Sequence, residues 1–139
     1  MKAVKAAHAR LMTLIISKNK ADNLDNMLNW ISLTDLHQLD EIKKQSFVKP
    51  QVLFKHSSRC SISSVALRRL DNAGFVPEAD YYLLDLFRNR YISAKIADDF
   101  NVCHESPQLL LIKEGACVYD ESHLSIDMSE LAEQLARLN

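Results

Sequence analysis

The chain has 139 residues, 47% hydrophobic and 25% charged, which predicts one compact domain with a real core and excludes disordered and fibrous classes. With 17 Lys and Arg against 18 Asp and Glu the net charge is -1, so the composition carries no electrostatic footprint for nucleic acid or an anionic membrane. Two glycines, Gly74 and Gly115, cannot build a phosphate-cradling loop or a GxGxxG turn, and three cysteines are too few for a disulfide framework, which implies a reducing compartment.

Residues 1–26 stand apart from the rest, with five basic against two acidic residues and Val4, Ala7, Leu11, Leu14 and Ile15 at helical spacing. This predicts a marginal amphipathic helix or a frayed extension. The apolar run from Leu11 to Ser17 is short for a secretory signal, and no small-x-small cleavage pattern follows it. Met27 is an alternative start, so the folded domain is placed at 27–139. The longest uncharged apolar stretches, Leu11 to Ser17 and Ser106 to Ile112, fall far short of the ~20 residues of a spanning helix. No membrane association is expected, and the expected location is the cytoplasm.

Thr34 to Lys44 reads as a short helix with Leu36, Leu39 and Ile42 on its apolar face and Thr34 or Asp35 as its cap. Pro50 stops it and opens the run Gln51-Val-Leu-Phe-Lys55, a buried strand. The polar turn His56-Ser-Ser-Arg-Cys60 follows, then a helix with Ile62, Val65, Ala66 and Leu70 inward, ended by Gly74. Tyr81 to Phe87 reads as a second strand and Tyr91 to Phe100 as a crossover helix, a βαβ unit that favours parallel pairing. Pro107 precedes the strand Gln108 to Ile112, which turns at Lys113-Glu-Gly115 into Ala116 to Tyr119, an antiparallel hairpin. Asp127 to Leu138 closes the chain as a helix with Met128, Leu131, Leu135 and Leu138 inward.

Cys60 thus falls where a strand hands over to a helix N-terminus. Unpaired backbone N–H groups and the positive end of the helix dipole there favour thiolate over thiol, and Lys55, His56 and Arg59 nearby add in the same sense. The competing reading is a small half-buried helix-start residue, since a free Cys packs like an apolar side chain. Cys117 alternates inward in the hairpin and is expected in the core. Cys103 and His104 read as a loop cysteine beside a polar histidine. Two alternatives remain for them: Cys103 resolves an adduct on Cys60, or the pair joins Cys60 in handling copper or zinc. On residues alone Pro107 is an ordinary trans proline at a strand start.

The order helix, strand, Cys-containing turn, helix, strand, helix, proline, strand hairpin, helix resembles the thioredoxin fold. More narrowly, Asn29-Trp-Ile-Ser-Leu33, Lys55-His-Ser-Ser-Arg-Cys-Ser-Ile-Ser63, His104-Glu-Ser-Pro-Gln108 and Ser122-His123 are similar to the bacillithiol-system YtxJ proteins, the monothiol bacilliredoxin family. The resemblance covers roughly residues 27–137 and implies an α/β fold with a mixed sheet of about four strands flanked by helices. It also implies that the Ser106–Pro107 bond is cis and faces Cys60, with backbone groups of Ser106 free to pair with an extended substrate.

Position 63, where a CxxC enzyme has its second cysteine, is Ser, so Cys60 has no local partner and must pass an adduct to an outside thiol. Ser63 reads either as a donor to the sulfur or as a solvated first-turn serine. The expected function is a monothiol oxidoreductase that removes a low-molecular-weight thiol from S-thiolated client proteins through Cys60. Bacillithiol is the co-substrate that the resemblance implies, its carboxylates suiting Lys55 and Arg59; no bound metal, flavin or nucleotide is required. The missing second cysteine also fits a non-catalytic redox sensor or stress-response adaptor that keeps a peptide-binding groove at Pro107.

Overall fold

The structure, a computed structural model, describes residues 30–139. The helix or frayed extension expected over 1–26, and the choice of Met27 as a start, lie outside the described residues. The described chain runs β1 (Ile31–Ser32), α1 (Leu36–Gln45), β2 (Gln51–His56), α2 (Ser61–Ala73), β3 (Asp80–Asp85), α3 (Arg90–Phe100), β4 (Gln108–Lys113), β5 (Ala116–Ser122), a 3-10 turn (His123–Ser125) and α4 (Met128–Arg137). The strands form one mixed sheet in the order β1-β3-β2-β4-β5. Strands β1 and β2 both run parallel to β3, whereas β4 is antiparallel to β2 and to β5.

Five strands form where about four were expected. The extra one is β1, two residues long and exposed, held on the sheet edge by pairing with Tyr82 and Leu83. Such a piece has no periodicity to read. Strand β3 ends at Asp85, two residues before the expected end, because Phe87 has left the sheet and is half exposed. Helix α1 starts where Asp35 caps it: the carboxylate accepts from His37 N–H at 2.8 Å while Gln38 reaches back to the Asp35 N–H, a reciprocal capping box.

Strand alternation divides the core between the two faces of the sheet. Val52 and Phe54 of β2, with Leu109 and Leu111 of β4, pack against Ala66 and Leu70 of α2 and Leu131 and Leu135 of α4. Leu53, Leu110 and Ile112 face the other way, onto Leu39 and Ile42 of α1 and Ile92, Ile96 and Phe100 of α3. Nearly every position of β2 and β4 is buried, as central strands covered by helices on both sides must be. Helix α2 meets the sheet along Ser63, Ala66 and Leu70. Ile62 and Val65, expected inward, are 41% and 38% exposed, because a buried Ser63 takes the inward position of the first turn.

Candidate functional site

The parallel β2–β3 pair ends at His56 and Asp85, and on the other side Lys55 stands opposite Gln108 of β4. This register brings the residue before β4, Pro107, to the same end of the sheet as the 57–60 turn. The Ser106–Pro107 peptide is cis. Pro107 is buried and Ser106 half-buried. The carbonyl of Pro107 accepts the His123 N–H at 3.0 Å, tying the turn after β5 to the proline loop.

Cys60 is the N-cap of α2, in extended conformation and half-buried. Its N–H donates to the Ser57 carbonyl at 3.1 Å and its carbonyl accepts from Ser64 N–H at 3.1 Å, so the backbone around the sulfur is fixed on both sides. The sulfur makes no capping bond, and the first turn carries no acidic residue to neutralise the positive helix end. Arg59 beside it is exposed, its guanidinium stacked 3.9 Å over the Phe87 ring.

Ser63 fits neither sequence expectation. It is fully buried, and its hydroxyl accepts the Ser57 N–H at 2.9 Å and lies 2.7 Å from His56 Nδ1. The position of a second thiol is therefore filled by a serine bonded to the turn it closes. The His56 ring stacks on Phe54, centroids 6.2 Å apart. Burial holds its imidazole below the ordinary range, against the opposing pull of Asp85 and Asp71, and its Nδ1 shares a hydrogen bond with the Ser63 hydroxyl.

Lys55 was expected near the sulfur as a group for substrate carboxylates. Alternation turns it to the opposite face from His56, where it is fully buried and out of reach of such a ligand. Its Nζ lies 3.3 Å from His104 Nδ1, and Ser93 Oγ of α3 lies 3.0 Å from the same nitrogen. Burial lowers the lysine to about 8. The His104 imidazole is lowered too, by burial first and the Lys55 charge second. In the sequence His104 reads as a polar loop histidine or as a metal ligand beside Cys60 and Cys103, and neither reading points to Lys55. The signal that could have singled out this pair is a lysine at the end of the buried run Gln51 to Lys55.

Ser93 and His104, with the turn that carries Cys60, border a cavity of about 530 Å³. Ser57 and Arg59 come from the Cys60 turn, Leu86 and Phe87 from the end of β3, Arg90 and Ser93 from α3, and His104 and Ser106 from the proline loop. None is acidic. Phe87, Arg90 and Ser93 were not foreseen as site residues, because they enter from elements far from Cys60 in sequence. The remaining cysteines differ from Cys60: Cys103 is exposed on the loop, while burial pushes the Cys117 thiol up to about 11. Among the described residues no group of three His, Cys, Asp or Glu side chains is placed to hold a metal ion. No helix among them is long and apolar enough to cross a membrane.

Residues 31–131 match the family described as monothiol bacilliredoxin BrxC. A solved structure described as having a thioredoxin fold is 30% identical over 76% of this chain and 92% of its own, with a TM-score of 0.68. Thioredoxin from Fasciola hepatica (17% identity, 78% and 98% coverage, TM-score 0.62) and thioredoxin f from spinach chloroplast (15%, 78% and 92%, 0.59) share the fold. The fold is thioredoxin-like, and the chain belongs to the monothiol bacilliredoxin family, with a function in thiol redox chemistry.

Proposed function

We propose that this protein is a monothiol thiol–disulfide oxidoreductase that frees client proteins from a low-molecular-weight thiol, with bacillithiol as the small thiol. The observation that carries the reading is Cys60 as an unbonded N-cap sulfur, with buried Ser63 where a resolving thiol would stand. The Cys60 thiolate attacks the outer sulfur of a client–S–S–R bond, forms Cys60–S–S–R and releases the client thiolate. A second R–S⁻ then attacks the Cys60 adduct, leaving R–S–S–R and restoring Cys60. Both partners, the S-thiolated client and the small thiol, reach the sulfur from the cavity side, and the reducing cytoplasm supplies the thiol.

Arg59 and Arg90 give the cavity its positive charge and suit the carboxylates of the small thiol. The N–H and C=O of Ser106 beside the cis bond offer an extended client segment a strand-like edge. The test is to incubate the reduced protein with the small-thiol disulfide and map the adduct by peptide mass. A single adduct on Cys60, lost in Cys60→Ser, is expected, together with catalytic release of reduced client. An adduct confined to Cys103, or a Cys60 adduct that a fresh small thiol does not discharge, overturns the reading.

A further inference from the structure

Lys55 is the one charged side chain among the described residues that is buried, and among them no carboxylate lies within ion-pair distance of its Nζ. A buried ammonium is costly unless a partner compensates it. Its hydrogen-bonding neighbour is an imidazole nitrogen.

Nδ1 of His104 faces both Lys55 Nζ and Ser93 Oγ, and a ring nitrogen has either one lone pair or one hydrogen to offer. Two arrangements satisfy this. In the first, Lys55 is an ammonium that donates to a bare Nδ1, so the ring hydrogen sits on Nε2. In the second, Lys55 is a neutral amine, Nδ1 carries the hydrogen and Nε2 is bare. The two differ by one proton, and passing between them moves that proton in or out through Nε2. Nδ1 is engaged by Lys55 and Ser93 while the ring lines the cavity, so Nε2 is the nitrogen left for a ligand there.

We propose that Lys55 and His104 form a proton relay for the exchange reaction, with His104 Nε2 as the acid and base at the cavity and Lys55 as the buried residue that positions and recharges it. This rests on the exchange reading given above. When Cys60 displaces the client thiolate, Nε2–H gives that thiolate its proton, and a Lys55 proton passes to Nδ1. When the next R–SH enters, bare Nε2 takes its proton, Nδ1 returns one to Lys55, and R–S⁻ attacks the Cys60 adduct. Over the cycle one proton moves from the small thiol to the client and none is gained or lost.

The charged surroundings suit this traffic. Cys117 of β5 lies near Lys55, Glu105 adjoins His104, and Arg59 and Arg90 line the same cavity. The two Arg charges favour loss of a proton from the pair, and Glu105 opposes it. A lysine near 8 lies close to the range in which thiols themselves exchange protons.

The experiment uses the wild type, Lys55→Met and His104→Gln. Ring nitrogen spectra of the free wild type from about pH 6 to 10 should show His104 changing tautomer in step with Lys55, a change absent in Lys55→Met. A ring that keeps one tautomer throughout overturns the relay, whatever the protein does in turnover. In turnover, His104→Gln should still take the small thiol on Cys60 but release client about tenfold more slowly, with its pH profile flattened. An unchanged profile with normal Cys60 labelling overturns the relay and leaves the exchange reading intact. Failure of wild-type Cys60 to take up the small thiol overturns both.

Discussion

The last two residues of β2 lead opposite lives. His56 turns toward α2, stacks on Phe54 and meets Ser63, a hydrogen-bonded network that closes the turn beneath Cys60. Lys55 turns toward α3, where no described carboxylate offsets its charge and its contact is the ring of His104 at the cavity wall. One peptide step separates a side built to hold a sulfur still from a side able to load and unload a proton. Strand alternation is sufficient to divide the tasks, because the sheet itself stands between them.

The difference can be broken most strongly from beneath the His56 side. Phe54→Ala removes a fully buried ring that touches both Trp30 and His56, and denaturant unfolding should show a loss of about 3–5 kcal/mol. The Lys55 side should respond with the opposite sign. Lys55→Met replaces the buried ammonium with an apolar chain of similar length and leaves His104 Nδ1 its contact with Ser93, and the fold should gain about 1–4 kcal/mol at neutral pH.

The pH dependence sharpens this. Lys55 is held at about 8 in the fold against 10.5 for the free side chain, so between these values the unfolded chain binds more protons. Stability contributed at Lys55 therefore rises with pH across that window, and below about 8 the full penalty of burying the charge remains. The Cys117 thiol, raised by burial, works in the opposite sense from about pH 9 upward. Lys55 and Cys117 act on each other, so wild type and Lys55→Met are compared below about pH 9, before Cys117 contributes; a gap between their unfolding curves that does not narrow from pH 8 upward would contradict the buried-ammonium account.

Ser63→Ala should cost about 1–3 kcal/mol, since it strips the Ser57 N–H of its acceptor and His56 Nδ1 of its hydrogen-bond partner. The same variant should lower the yield of Cys60 adduct in a mass assay, because the turn carrying the sulfur is no longer fastened. The smallest expected effect is at the rim. Arg59→Ala gives up a cation–π contact with Phe87 worth about 0.5–1 kcal/mol at an exposed site. Its clearer signature is weaker saturation by the small thiol in a rate titration.

Much of this frame was legible beforehand. The buried runs at Gln51 and Gln108 announce central strands, and Leu39 and Ile42, or Ile92, Ile96 and Phe100, mark helix faces by their spacing. The turn at Cys60 follows from a strand that ends in polar residues before a helical pattern. What was not legible depends on contacts between distant residues. Lys55 and His104 are 49 positions apart, and neither reveals on its own that the other satisfies it. Ser63 looks like a solvent-facing first-turn serine until His56 is seen to turn inward beside it. Local pattern carries the elements, whereas the polar pairs inside the molecule are set by register between strands.

Trp30 has a consequence for how this protein can be watched. It is the sole tryptophan in the sequence. Its ring packs edge-on to Phe75 and Tyr81, and its Nε1–H donates to Asp71, in the last turn of α2, at 2.7 Å. The helix that presents Cys60 at its beginning thus grips the indole near its end. Intrinsic fluorescence becomes a label-free gauge of that helix seated on its sheet, and stopped-flow emission can time its docking and release.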